Sequence, residues 1–218
     1  MATSIILLGP SGSGKSTSAR NFNPEHTYYI NPVGKPLPFK KAKHYNEKNK
    51  NYFSTLNYDK IEKVIKGISN KRDEIKRIII DDAQYLMADE FMSKALEKGY
   101  TKFTILAQNM YNIMKPSFMQ SLRDDLYIYY IFHNEDVGDK SKVKTIGKLL
   151  DEKITIEGLV TIVLHTKVEQ KGNNTEYNFI TNSDGHHIAK SPMGMFEDQL
   201  IPNDLKQVED RIEEYYNN

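Results

Sequence analysis

"SIILLGPSGSGKST", residues 4–17, runs from a short apolar stretch into a loop with glycine at positions 9, 12 and 14. Ile5, Ile6, Leu7 and Leu8 are too few for a helix and end at Gly9 and Pro10, so they read as a buried strand entering a loop. The loop matches G-x-x-x-x-G-K-[ST] at Gly9, Gly14, Lys15 and Ser16. Gly9, Gly12 and Gly14 permit backbone conformations that a side chain obstructs, letting successive N–H groups face inward around phosphate oxygens. Lys15 brings a charge to the β- and γ-phosphates, Ser16 offers a hydroxyl to Mg²⁺, and the helix expected from "KSTSARNF" presents its positive end. Gly9, Pro10, Ser11, Gly12, Ser13, Gly14, Lys15, Ser16 and Thr17 are therefore the expected ATP-binding set.

Outward from this loop, strands and helices alternate. Strands are expected at 26–31, 75–82 and 126–134, and a hairpin from Leu159 that turns at Gly172 to Asn174. Asn57 is a candidate cap for a helix with Ile61, Val64, Ile65 and Ile68 on one face. Helical patterns dominate from Asp89 to Asp124, with a break near Gly99 and a kink at Pro116. A last helix is expected over 202–216. The pattern predicts an α/β fold, a mostly parallel sheet flanked by helices with a C-terminal antiparallel hairpin, and one domain over 1–218. Residues 35–53 read as an exposed Lys-rich insertion and 138–150 as a basic loop.

A net charge of +1 gives no general affinity for polyanions, so nucleic acid would need a local patch. Cys is absent, which excludes disulfides and thiolate metal sites and is compatible with a reducing compartment. The N-terminal apolar run is far too short for a signal peptide or membrane span, so a cytoplasmic protein without membrane contact is expected.

An NTPase site needs carboxylates near the metal, and "RIIIDDAQYL" places two at the end of an apolar strand. Asp81 is the expected partner of Mg²⁺, with Ser16. Asp82 is a candidate base for the attacking water, or a cap of the next turn. "FHNEDVG" puts His133 and Glu135 at the end of the next strand, Glu135 competing with Asp82 as base and His133 a candidate γ-phosphate sensor or a structural histidine. A small nucleotide kinase is an alternative, but Arg20, Arg72, Arg77, Arg123 and Arg211 do not fall in a lid-like segment. A GTPase base-reading N-K-x-D motif is not found. The carboxylate pair, the polar strand end and the hairpin favour a RecA-like ATPase core.

"GPSGSGKST", "IIIDDAQYLM", "LYIYYIFHNEDV", "TIGKLLDEKITIEGLVTIVLHTKV" and "AKSPMGMF" occur in an order and spacing that resemble the phage-encoded RecA-like P-loop ATPases, a group that includes single-strand annealing recombinases. The resemblance spans about residues 3 to 205. It implies a RecA core that hydrolyses ATP with Mg²⁺, binds single-stranded DNA and assists annealing, recombination or replication of a phage genome. It also implies a homo-oligomer, ring or filament, in the host cytoplasm, with a single-strand binding protein as a further partner. DNA contacts are expected from Lys140, Lys142, Lys144 and Lys148, and from Lys35, Lys40, Lys41, Lys43, Lys48 and Lys50 interleaved with Phe39, Tyr45, Tyr52 and Phe53 that can stack on bases. Solvated Lys-rich loops are the plain alternative. An ATPase that remodels or loads a protein partner without touching DNA fits the same ATP site. In "HHIAKSPMGMF", Lys190 is the candidate basic finger toward a neighbouring subunit's γ-phosphate, with a structural turn at Pro192 and Gly194 as the alternative.

Overall fold

The computed structural model describes residues 1–217; Asn218, counted in the expected domain, lies outside the described residues. The strands are β1 (Thr3–Leu8), β2 (Thr27–Ile30), β3 (Tyr52–Phe53), β4 (Arg77–Ile80), β5 (Tyr127–Phe132), β6 (Asn134–Val137), β7 (Lys140–Val143), β8 (Ile162–Lys171), β9 (Asn174–Ile180) and β10 (Leu200–Pro202). The α-helices are α1 (Tyr58–Lys71), α2 (Gln84–Ser93), α3 (Thr101–Met114), α4 (Pro116–Gln120) and α5 (Leu205–Asn217). An eight-stranded sheet has the order β10-β9-β8-β1-β5-β4-β2-β3, with β6 and β7 forming a separate hairpin. From β8 to β3 every pairing is parallel; β9 and β10 add antiparallel strands at one end.

Alternation along β1 divides the core between the two faces of the sheet. Ile6 and Leu8 join Ile61, Ile65, Leu86, Met110 and Ile113 under α1, α2 and α3. Ile5 and Leu7 join Phe22, Leu205, Val208 and Ile212 under α5. The sheet is therefore sandwiched between helical layers, with its parallel strands buried on both faces. Asn57 caps α1 as expected, its side chain accepting from the Lys60 N–H at 3.0 Å. The hairpin turns at Gly172 and Asn173, as the sequence indicates.

Several boundaries differ from expectation. "KSTSARNF" does not form an α-helix but a six-residue 3₁₀ helix, Ser16–Asn21. Ser18 Oγ bonds back to the Lys15 carbonyl at 2.5 Å, and Asn23 before Pro24 is extended, which stops the turn. Helix α2 starts at Gln84, five residues ahead of Asp89, directly after the carboxylate pair. Pro116 does not kink a helix; it begins α4, because Lys115 before it is extended. Pro202 belongs to β10, so the last helix starts at Leu205.

The 35–53 insertion is less exposed than expected. Tyr45 is buried, its ring 5.1 Å from Tyr29 and 6.0 Å from Phe39. Tyr52 and Phe53 form β3 beside β2. Buried Asn51 ties the segment down by donating to the Pro24 carbonyl at 2.9 Å and the His44 carbonyl at 3.0 Å. The buried Tyr45 ring is therefore committed to packing, which corrects the expectation that it stacks on bases. The 138–150 segment is likewise not one loop: it includes β7 and the start of a π-helix, Leu149–Ile154. No described helix is long and apolar enough to cross a membrane.

Candidate functional site

An open cleft of about 700 Å³ lies at the carboxyl ends of the parallel strands. Its floor is the loop after β1, from Ser11 to Thr17. Gly12 and Gly14 have φ of +77° and +88°, the left-handed region that glycine reaches without strain. At Gly9 the demand is space: a Cβ there would sit 1.8 Å from Thr166 Oγ1. Thr166, on β8, braces the loop by donating to Ser13 Oγ at 2.7 Å. The six-residue turn that follows is too short for much macrodipole, so an anion held here would depend on the loop's own N–H groups.

Lys15 is buried and arches over its own loop, donating to the carbonyls of Gly9 and Pro10, each at 2.7 Å. Burial pulls its pKa down to about 8 against the pull of Asp82 and Asp81. Ser16 Oγ donates to Asp81 Oδ1 at 2.8 Å. Burial, then the neighbouring Asp82 charge, pushes Asp81 up to about 6. A hydroxyl and a carboxylate at this separation, beside a phosphate-type loop, form the hard oxygen set that Mg²⁺ takes together with nucleotide phosphates.

Asp82 follows β4, which lies between β2 and β5 in the sheet. Its carboxylate consequently receives a group from each neighbour. Lys35, from the segment after β2, ion-pairs with Oδ2, and His133 Nε2, at the end of β5, lies 3.2 Å from Oδ1. Burial opposes ionisation, but the hydrogen bonds and charges of His133 and Lys35 prevail and hold Asp82 down at about 2. Asp82 also has φ +56°, so the backbone itself is bent to aim this side chain. Lys35, Pro38, Asp82, His133, Arg20, Tyr177 and Asn203 complete the cleft lining.

Other candidates stand apart. Glu135 is on β6, opposite Lys142 of β7, outside the cleft lining. Lys190 is stitched to β8 by two backbone bonds with Val163, at 2.9 and 2.8 Å. Its ammonium is half-buried and attracted by Glu157, and burial lowers its pKa. Lys40, Lys41 and Lys43 are exposed on a 3₁₀ turn, Lys40–His44, near the β2 and β3 end of the sheet. Lys140 donates to the Gly185 carbonyl at 2.5 Å, and the Lys144 N–H donates to the His133 carbonyl at 2.9 Å. Lys142 is half-buried and Lys148 exposed.

No protein-family model matches the chain, and no curated protein matches it in sequence. Among solved structures, it is similar to a KaiC-like protein of the hyperthermophilic archaeon Pyrococcus horikoshii OT3. The TM-score is 0.51 at 14% identity, over 82% of this chain and 77% of that one. The fold is RecA-like. In this RecA-like sheet the loop of Lys15 and the pair Asp81–Asp82 occupy the ends of β1 and β4, with the end of β5 between them. Lys35, Thr166, Tyr177 and Asn203 are site residues that pattern reading did not assign to the cleft. Thr166 carries a weak local signal, as a polar residue closing the apolar run of β8; the other three carry none.

Proposed function

We propose that this chain binds ATP with Mg²⁺ and hydrolyses it, and that hydrolysis is coupled to single-stranded DNA in an oligomer. The observation that carries the ATPase half is the Ser16 hydroxyl 2.8 Å from the Asp81 carboxylate at the foot of the Lys15 loop. Mg²⁺ bound there would supply positive charge to offset the charge developing on the phosphates. Ser16 and Asp81 are the residues to hold it. Lys15 and the loop N–H groups bind the phosphates. Phosphoryl transfer asks less of a base than of positioning, and Asp82 with both oxygens engaged is suited to orient His133 toward the water and γ-phosphate. The arginines argue against a kinase lid: Arg20 bonds to the Thr17 and Asn203 carbonyls, Arg77 to Glu209, Arg123 to the Ile68 and Arg72 carbonyls, and Arg211 to Glu214.

Titration calorimetry with Mg–ATP tests the binding step. Wild type binds, and Lys15→Ala weakens binding by at least about 10-fold, the loss of one charge-assisted contact. Equal affinities in the two proteins sink the assignment.

The DNA half rests on the resemblance and on the exposed Lys40, Lys41, Lys43, Lys140, Lys144 and Lys148. Fluorescence anisotropy of a labelled single-stranded oligonucleotide, at low salt with and without ATP, should show affinity that weakens steeply as salt rises. A second reading, an ATPase acting on a protein partner, is favoured by exposed apolar residues around the α2–α3 connection: Met92 at 68%, Leu96 at 99% and Tyr100 at 87% exposure. Stimulation of hydrolysis by single-stranded DNA selects the first reading; indifference to it selects the second.

A further inference from the structure

We propose that Lys35 is a catalytic residue of the nucleotide site, supplying from the same chain a second positive charge to the terminal phosphate of a bound nucleoside triphosphate. This rests on the reading of the cleft as an ATPase site.

The loop that carries Lys35 is held in place from beneath. Buried Asn31, at the end of β2, donates from Nδ2 to the Lys35 carbonyl at 2.7 Å and accepts from the Gly34 N–H at 2.9 Å. Gly34 turns the chain at φ +71°, and Pro36 and Pro38 restrict the backbone beyond it. Leu37 and Phe39 then pack against the core on the α5 face. The Lys35 side chain leaves this fixed base and crosses the cleft to Asp82, its Nζ 5.8 Å from the centre of the Tyr85 ring. It is 57% exposed while Asp82 is 7% exposed, so the cation borders the space a ligand fills and its partner lies behind it.

The other cations do not match this placement. Arg20 lines the cleft but donates to two backbone carbonyls. Lys190, bridged to Val163 and facing Glu157, is outside the lining of its own chain's cleft. Lys35 instead shares the cleft with Lys15 and is held on its side-chain end by one carboxylate, which a polyphosphate can compete with. In hydrolysis the water oxygen bonds to the γ-phosphorus and the bond to the β–γ bridging oxygen breaks. The electron pair stays on ADP, inorganic phosphate leaves, and the water's proton passes to solvent. Lys35 exchanges no proton; its charge offsets the negative charge gathering on the γ-oxygens. ADP lacks those oxygens, so Lys35 distinguishes triphosphate from diphosphate.

The test compares wild type, Lys35→Ala and Lys35→Arg as full chains, by calorimetric titration with Mg–AMPPNP and Mg–ADP and by single-turnover ATP hydrolysis. Expected for Lys35→Ala are Mg–ADP affinity within about 2-fold of wild type, Mg–AMPPNP binding about 10-fold weaker, and hydrolysis slower by about 100-fold or more. Lys35→Arg, which keeps the charge, recovers part of both losses. Diluting wild type into excess Lys35→Ala leaves the rate per wild-type chain unchanged, because the charge acts within its own chain. Wild-type hydrolysis and an unchanged AMPPNP-to-ADP affinity ratio in Lys35→Ala overturn the proposal, as does a per-chain rate that falls on dilution. A wild-type chain that binds neither nucleotide overturns the ATPase reading, and this one with it.

Discussion

Gly9 and Gly12 belong to one loop yet answer to different constraints. At Gly9 a methyl group meets Thr166 Oγ1, whereas at Gly12 nothing lies within 4 Å and the requirement is the positive φ. Gly9→Ala should therefore cost more than about 2 kcal/mol by forcing β8 and the loop apart, and Gly12→Ala about 1–2 kcal/mol of backbone strain. Urea midpoints of the two variants check this ranking. Another residue-scale effect comes from His165, buried on β8 with its ring 4.5 Å from His187. Burial and the nearby His187 and His186 charges pull its pKa down to about 4, against the Thr166 carbonyl and Asp184. Below pH 6.5 the unfolded chain takes up a proton that the folded chain refuses until about pH 4. Stability accordingly falls by up to about 3 kcal/mol as pH drops through that window. His165→Asn should flatten this slope in a pH series of thermal melts, leaving the losses below pH 4 in place.

At the scale of elements, α5 is bound to the sheet by a buried ion pair. Arg77 Nε of β4 donates to Glu209 Oε2 at 2.8 Å, Tyr129 donates to the same carboxylate at 3.0 Å, and the guanidinium lies 4.6 Å over the Phe22 ring. Removing one partner strands a buried charge, so Glu209→Ala should lose about 3–5 kcal/mol, while the double change Arg77→Met with Glu209→Leu should restore much of it. Chemical denaturation of the single and double variants decides. The 35–53 segment shows why element boundaries escape pattern reading. Its lysines and prolines advertise a loop, but Tyr45 and Phe39 acquire meaning only against Tyr29, a residue of another strand. The turn after Lys15 is similar: its composition permits a helix, and the local hydroxyl bond of Ser18 with the approach of Asn23 and Pro24 cuts it to 3₁₀.

For the whole molecule, the parallel sheet is a device for gathering strand ends. Binding at that edge stabilises only the folded state, so Mg–ATP at ~100 times its Kd should add about 2.7 kcal/mol. For a chain of this size that is a Tm rise of roughly 5–10 °C, cut to about half or less in Lys15→Ala at the same nucleotide concentration. Differential scanning fluorimetry measures both proteins under the same conditions.

The strand-to-loop transition at Leu8 and Gly9, the capped stripe of α1, the carboxylate pair after β4 and the hairpin at Gly172 were all readable in the chain alone. Each depends on neighbours within a few residues: a period, a cap, a positive φ. Sheet order is a different kind of information. That β4 lies between β2 and β5 decides that Asp82 meets Lys35 on one side and His133 on the other. No local pattern singles out Lys35 among the lysines around it. The sequence by itself determined a glycine-rich loop of phosphate-loop pattern in an alternating α/β chain, because backbone sterics and burial periodicity are local. Only the tertiary structure decided which cation stands beside it, because that choice is made by strands that are distant in sequence and adjacent in the sheet.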